Sequence, residues 1–125
     1  MIYGIGTDIS EVKRFKKWLE NPSMIQRFFN DKEIFNGEAN DERKLQHYAA
    51  RFSAKEAFVK ALGTGFKNFS LKEIYVTKDI EGKPFINVTG NAEKILKERC
   101  GNCSMNLTLS HEKEYAVAFV VIEKN

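Results

Sequence analysis

From Asp41 to Leu62 the chain reads DERKLQHYAARFSAKEAFVKAL, and Gly63-Thr64-Gly65 follows directly. At about 100° per residue this stretch puts Leu45, Tyr48, Ala49, Phe52 and Val59 on one stripe, which predicts a long amphipathic helix. Gly63 supplies the residue that most readily takes the left-handed conformation closing such a helix. Glu56 falls inside the apolar stripe, not on its rim. A carboxylate facing a core is costly unless a cation, a metal or several donors compensate it. Lys60, one turn on, is part of that compensation; an ordinary i,i+4 pair on a tilted helix is the plainer reading.

Working outward, Ile2 to Thr7 predicts a short strand ending at Asp8. Asp8-Ile-Ser-Glu11 offers capping chemistry for a helix running to about Leu19, with Val12, Phe15 and Leu19 buried. Asn21-Pro22-Ser23 breaks that helix and opens another short one through Phe29, and residues 36–40 read as loop. The second half changes period. Ile74 to Thr77 and Phe85 to Thr89 predict strands around a turn at Asp79 to Gly82, and Asn91 to Arg99 a helix with Ala92, Ile95 and Leu96 inward. Met105 to Leu109 alternates apolar and polar residues, whereas Tyr115 to Ile122 is apolar on both faces. A strand of that kind must be covered twice, and in a domain this small a second subunit is a fitting cover. The expected class is α+β, a small antiparallel sheet packed with a long central helix, in one domain over residues 1–125.

Composition narrows the functional classes. No apolar run approaches the roughly 18 residues of a membrane span, and the N-terminus has no signal-peptide pattern, so a cytoplasmic protein is expected. A net charge of +3 and basic segments without interleaved aromatics argue against a nucleic-acid binder. The basic residues nevertheless cluster, with Lys13, Arg14, Lys16 and Lys17 in one short helix and Arg43, Lys44, Arg51, Lys55 and Lys60 in the long one. Such clusters hold phosphates or an acidic protein, or are simply solvated faces. Cys100-Gly-Asn-Cys103 lacks two further ligands at zinc spacing, since the histidines are only His47 and His111, and it follows a helix where a redox motif would open one. It reads as a loop with two reduced thiols.

Asp8 alone is an N-cap candidate. Paired with Glu56, it makes two carboxylates on rigid elements, the donor set of a magnesium site whose remaining positions go to water and phosphate oxygens. Arg51, Lys55 and Lys60 would then face those phosphates. Gly63-Thr64-Gly65 lacks the full P-loop pattern, and Ser110-His111 stands where the last hairpin turns, with His111 a donor to a ligand's phosphate or amide.

Taken together, these blocks resemble a known family. Gly4-Ile-Gly-Thr-Asp8-Ile, the stretch from Arg51 to Gly65, Gly82-Lys-Pro84 and Leu109-Ser-His111 stand in the order found in the bacterial holo-[acyl-carrier-protein] synthases, the small 4′-phosphopantetheinyl transferases. The resemblance spans nearly the whole chain. It implies transfer of 4′-phosphopantetheine from coenzyme A to a serine of apo-acyl carrier protein, releasing adenosine 3′,5′-bisphosphate, in fatty acid biosynthesis. By position it makes Asp8 and Glu56 magnesium ligands and catalytic residues with Lys60. It places Arg51, Lys55, Lys60, Gly63, Thr64, Gly65, Ser110 and His111 in coenzyme-binding segments. The family fold assembles as a trimer with sites between subunits. Lys13, Arg14 and Lys17 are the candidates for docking the acidic carrier. Which group takes the serine proton stays open, and Cys100 and Cys103 lie in a variable region with no implied role. The alternative is a coenzyme A- or nucleotide-binding module without turnover.

Overall fold

Helix α3, Asp41–Leu62, lies at the centre of the computed structural model, which describes residues 1–65 and 68–125. Asn40 opens it by accepting a hydrogen bond from the Arg43 amide, and Gly63, at φ +84°, closes it with its N–H on the Val59 carbonyl. The expected single stripe is a correction: from Tyr48 to Leu62 nearly every residue is buried, because packing reaches the helix from both sides. Ala54, Ala57, Phe58, Ala61 and Leu62 join one cluster with Ala118, Val120 and Ile122, with Ile74, Val76 and Ile86, and with Ala92 and Leu96. Tyr48, Ala49, Ala50 and Phe52 join a second cluster with Val12, Phe15, Ile25 and Phe29. A helix wrapped on both sides carries no single polar face, so charges on it are buried as readily as methyl groups.

Five strands form two antiparallel sheets where the sequence suggested one. β1 (Ile2–Glu11), β5 (Tyr115–Lys124) and β4 (Cys103–His111) lie in the order β1-β5-β4, while β2 (Ile74–Lys78) and β3 (Pro84–Val88) form a separate hairpin. β1 runs four residues beyond the expected Thr7, because β5 offers it partners as far as the Glu11–Tyr115 pair. Asp8 is therefore mid-strand and not a cap. The next turn, a 3-10 segment Val12–Phe15, has no side-chain cap; α1 follows over Lys16–Leu19 and α2 over Pro22–Phe28. Cys100 is the last residue of α4 (Gly90–Cys100) and Cys103 the first of β4, so both belong to regular elements; both are free thiols, as expected.

The outer face of the three-stranded sheet is uncovered. Ala116, Ala118, Val120 and Ile122 of β5 point inward and are fully buried, while Tyr115, Val117 and Phe119 point outward beside Ile5 and Ile9 of β1. Ile9 is 63% exposed and Phe119 41%. Among the described residues no helix is long and apolar enough to cross a membrane.

Candidate active site

Small residues bring β1 onto α3 and set where Asp8 lies. Inward-facing positions of β1 are Gly4, Gly6, Asp8 and Ser10. Gly4 and Gly6 pass so close to the Ala61 and Ala57 carbonyls that neither has space for a β-carbon. At the other end, Ser53 Oγ donates to Ser10 Oγ at 2.6 Å. Asp8 stands between these anchors, against the part of α3 that carries Glu56 and Lys60.

The carboxylate is held from both sides. Ser10 Oγ donates to Asp8 Oδ2 (3.3 Å), and Lys60 Nζ donates to Asp8 Oδ1 (3.3 Å) and to the Thr7 carbonyl (3.0 Å). Lys60 thus serves Asp8, where the sequence suggested Glu56 as its partner. Glu56 is half-buried, less deeply than its place in the stripe implied. Burial first, and the Asp8 charge second, push its carboxyl above the usual range, while Lys60 and Arg14 pull it back. Two carboxylates close enough that the Asp8 charge raises the Glu56 carboxyl, with Lys60 bonded to Asp8, suit a divalent cation. Two carboxylates leave the several water and phosphate positions that magnesium keeps, and among the described residues no third acidic, histidine or cysteine ligand joins them.

Glu56 lines a cleft of about 490 Å³ together with Arg14, Trp18, Arg27, Phe28 and Phe52 and with the segment Phe69, Ser70 and Leu71. Arg14 sits 5.1 Å over the Phe52 ring. Of the three docking candidates only Arg14 lines this cleft; Lys13, paired to Glu11 at 3.7 Å, and Lys17 are exposed nearby in sequence on the same short segment.

A second cavity, of about 470 Å³, is cationic. Arg51 and His111 line it, as the sequence suggested, together with Gly82 and Pro84. Arg43, His47 and Lys78 line it too without having been assigned to the site, although Arg43 and His47 stand two turns and one turn before Arg51 on α3; only Lys78 comes from a separate segment, β2. Arg51 donates from Nη1 to the His47 carbonyl at 3.2 Å, while its buried Nε has no partner among the described residues. An unpartnered guanidinium N–H in a cationic hollow asks for an anion. Burial and Arg51 hold the His47 imidazole down at about 4, so it is neutral there.

Lys55 does not face a ligand; this is the main correction to the expected site. Its side chain is fully buried and paired to Glu33 at 2.5 Å. Burial brings its ammonium down to about 8 against the pull of Glu33, so it stays charged at neutral pH. The partner could not be read from the sequence, since Glu33 lies in a 3-10 turn within a loop-rich segment 22 residues earlier. Gly63, Thr64 and Gly65 stand exposed or half-exposed past the end of α3, and Ser110 is exposed near the end of β4; none of the four lines either cavity.

The family model of the 4′-phosphopantetheinyl transferase superfamily matches residues 4–120. The chain belongs to that superfamily. It is 46% identical to a holo-[acyl-carrier-protein] synthase of Treponema denticola over 123 residues, covering 98% of this chain and 99% of the relative. Its fold matches the holo-[acyl-carrier-protein] synthase of Neisseria meningitidis with a TM-score of 0.86 at 35% identity, over 99% of this chain and 100% of that one. The synthase of Bacillus anthracis, solved in complex with CoA (3′,5′-ADP), matches with a TM-score of 0.80 at 35% identity, over 100% and 99%. The superfamily match contains Asp8, Glu56 and Lys60 as well as Arg51 and His111.

Proposed function

We infer that this chain, as one domain over residues 1–125, is a holo-[acyl-carrier-protein] synthase. It transfers 4′-phosphopantetheine from coenzyme A to a serine of apo-acyl carrier protein and releases adenosine 3′,5′-bisphosphate. The observation that carries this reading is the meeting of Asp8, Glu56 and Lys60 in one charged cluster, with a separate cationic hollow available to a phosphorylated nucleotide. A binding module without turnover would have no use for that carboxylate–lysine cluster.

In the reaction the serine oxygen forms a bond to the β-phosphorus, the bond to the nucleotide phosphate breaks, and the serine proton is released. Asp8 and Glu56 are the residues that would hold magnesium, which when bound supplies neutralisation of charge on the pyrophosphate oxygens. Ser10 and Lys60 fix the Asp8 carboxylate so that no reorganisation is needed as charge develops. Lys60, 55% exposed in its side chain, has donor capacity left to neutralise the departing phosphate. Arg51 and His111, with Arg43 and Lys78, would bind the nucleotide end.

Glu56 and the cationic residues line different cavities, and the three-stranded sheet presents an uncovered apolar face. Both facts support a trimer in which the cationic hollow of one subunit completes the carboxylate cleft of the next. Arg14 lines the cleft, Lys13 and Lys17 are exposed on the same short segment, and the three would steer an acidic carrier to it. Cytoplasmic location and a role in fatty acid biosynthesis follow from these substrates.

Incubation with coenzyme A, magnesium and an apo-carrier protein, read by the carrier's mass, tests the whole reading. A carrier heavier by one phosphopantetheine is the expected result; coenzyme bound with no mass change returns the binding module. Lys17→Glu tests the docking face, raising the carrier's KM, but not that of coenzyme A, by an amount that shrinks with salt.

A further inference from the structure

The buried pair Glu33–Lys55 has no part in the chemistry above, yet it stands between the two cavities. Lys55 Nζ donates to Glu33 Oε1 at 2.5 Å, to the Leu71 carbonyl at 3.0 Å and to the Ile74 carbonyl, so all three ammonium protons are used. Glu33 accepts in addition from the Asn30 amide on Oε1 and the Val76 amide on Oε2, both at 3.0 Å. Its own carbonyl meets His47 Nε2 at 2.6 Å. One ion pair therefore ties α3 to the 3-10 turn Asp31–Glu33, to the 3-10 turn Leu71–Glu73 and to β2.

Those attachments coincide with the site. Leu71, with Phe69 and Ser70, lines the cleft together with Glu56, Arg14 and Trp18, and His47 lines the cationic cavity. Phe69 and Leu71 also pack against core clusters that contain α3 residues, but the bond from Lys55 to the Leu71 carbonyl is a directed tie from α3 to this segment. Stability does not explain the charges. An apolar pair of the same size commonly packs as well or better, because two ions must be stripped of water. What an ion pair with directed hydrogen bonds adds is one fixed geometry. Resting on the transferase reading, we propose that Lys55 and Glu33 are positioning residues for the transfer, holding the Phe69–Leu71 wall in register with Glu56.

The test uses the paired variant Glu33→Gln/Lys55→Met, which removes both charges together and leaves no lone buried ion. Glu33→Gln alone, which keeps one acceptor oxygen for Lys55, is read in parallel should the pair fail to fold. In a variant that circular dichroism shows to be folded, the expected result is a tenfold or greater fall in kcat, with KM for coenzyme A within threefold of wild type. Trp18, the chain's one tryptophan, lines the cleft and supplies a signal free of turnover: its quenching constant with acrylamide should at least double. Wild-type kcat per folded molecule, or wild-type quenching, would overturn the proposal, whatever happens to the melting temperature. If the wild-type protein itself transfers nothing, it is the functional reading that fails, and the quenching arm still tests the clamp.

Discussion

Replacing Gly6 with alanine should damage both the fold and the site through a single methyl group. A β-carbon at that position would overlap the Ala57 carbonyl oxygen and lie 2.7 Å from the Ala61 amide nitrogen and 3.0 Å from the Ala57 carbonyl carbon. All three obstacles are backbone of α3, so no rotamer change relieves them. The strand and helix must separate by about 1.4 Å to bring the new carbon and the Ala57 oxygen to ordinary contact near 3.4 Å. Overpacking a core costs about 1–3 kcal/mol, and with backbone as the obstacle the upper end applies, about 3 kcal/mol. For a chain of this length that lowers the melting temperature by about 10 °C and the urea midpoint by more than about 1 M. The same separation carries Asp8, two residues on, away from Lys60, whose bonds to the Thr7 carbonyl and Asp8 Oδ1 are already 3.0 and 3.3 Å. Activity should therefore fall even below the melting transition. Gly37→Ala is the control: at φ +97° with nothing within 4 Å of the new methyl, it should cost only about 1 kcal/mol of backbone strain and leave transfer intact. A Gly6→Ala protein with wild-type urea midpoint and wild-type kcat would refute the reasoning.

Glu56→Gln should fold normally and lose at least about 100-fold in kcat, since the amide keeps the shape but not the charge that would hold magnesium. Burial and Asp8 raise the Glu56 carboxyl, so its ionised form disfavours the folded state, and thermal melts above that raised value should show the Gln variant no less stable than wild type. His47 has an imidazole at about 4 in the fold against 6.5 when unfolded. As pH falls through that window the unfolded chain takes the proton first, so stability should drop between pH 6.5 and about 4, by at most ~3 kcal/mol. Acid unfolding of His47→Gln should lack that part of the slope, and an unchanged acid midpoint would contradict it. Phe119→Lys puts a charge on the uncovered sheet face, where Phe119 is opposite Thr7 of β1 and Thr108 of β4. Sedimentation should show the assembly dissociated, because an unpaired ammonium in an apolar contact is strongly disfavoured. A trimer unaffected by the change would remove this face from the interface.

Much of this protein is determined locally. The length of α3, its stop at Gly63, the hairpin from Ile74 to Val88 and the amphipathic helix ending at Cys100 follow from hydrophobic period and turn chemistry, which act over a few residues. Asp8, Glu56 and Lys60 stood out because a carboxylate in an apolar stripe and a pair of glycines before an aspartate are visible anomalies. The identity of their partners was not visible. Lys60 bonds Asp8, 52 positions away, Ser53 bonds Ser10, 43 away, and Lys55 is buried on Glu33, 22 away. Lys55 and Lys60 look alike in a helical pattern, each a lysine on a long basic helix, and only what packs against each side separates the buried clamp from the site cation. The cationic hollow is a mixed case: Arg43, His47 and Arg51 recur every four residues along α3, but Lys78 of β2, the β2–β3 turn and His111 of β4 join them only in the fold. Periodicity records which side of an element is apolar; which element arrives there, and with what charge, is set by long-range packing, where the burial of any one ion depends on residues far along the chain.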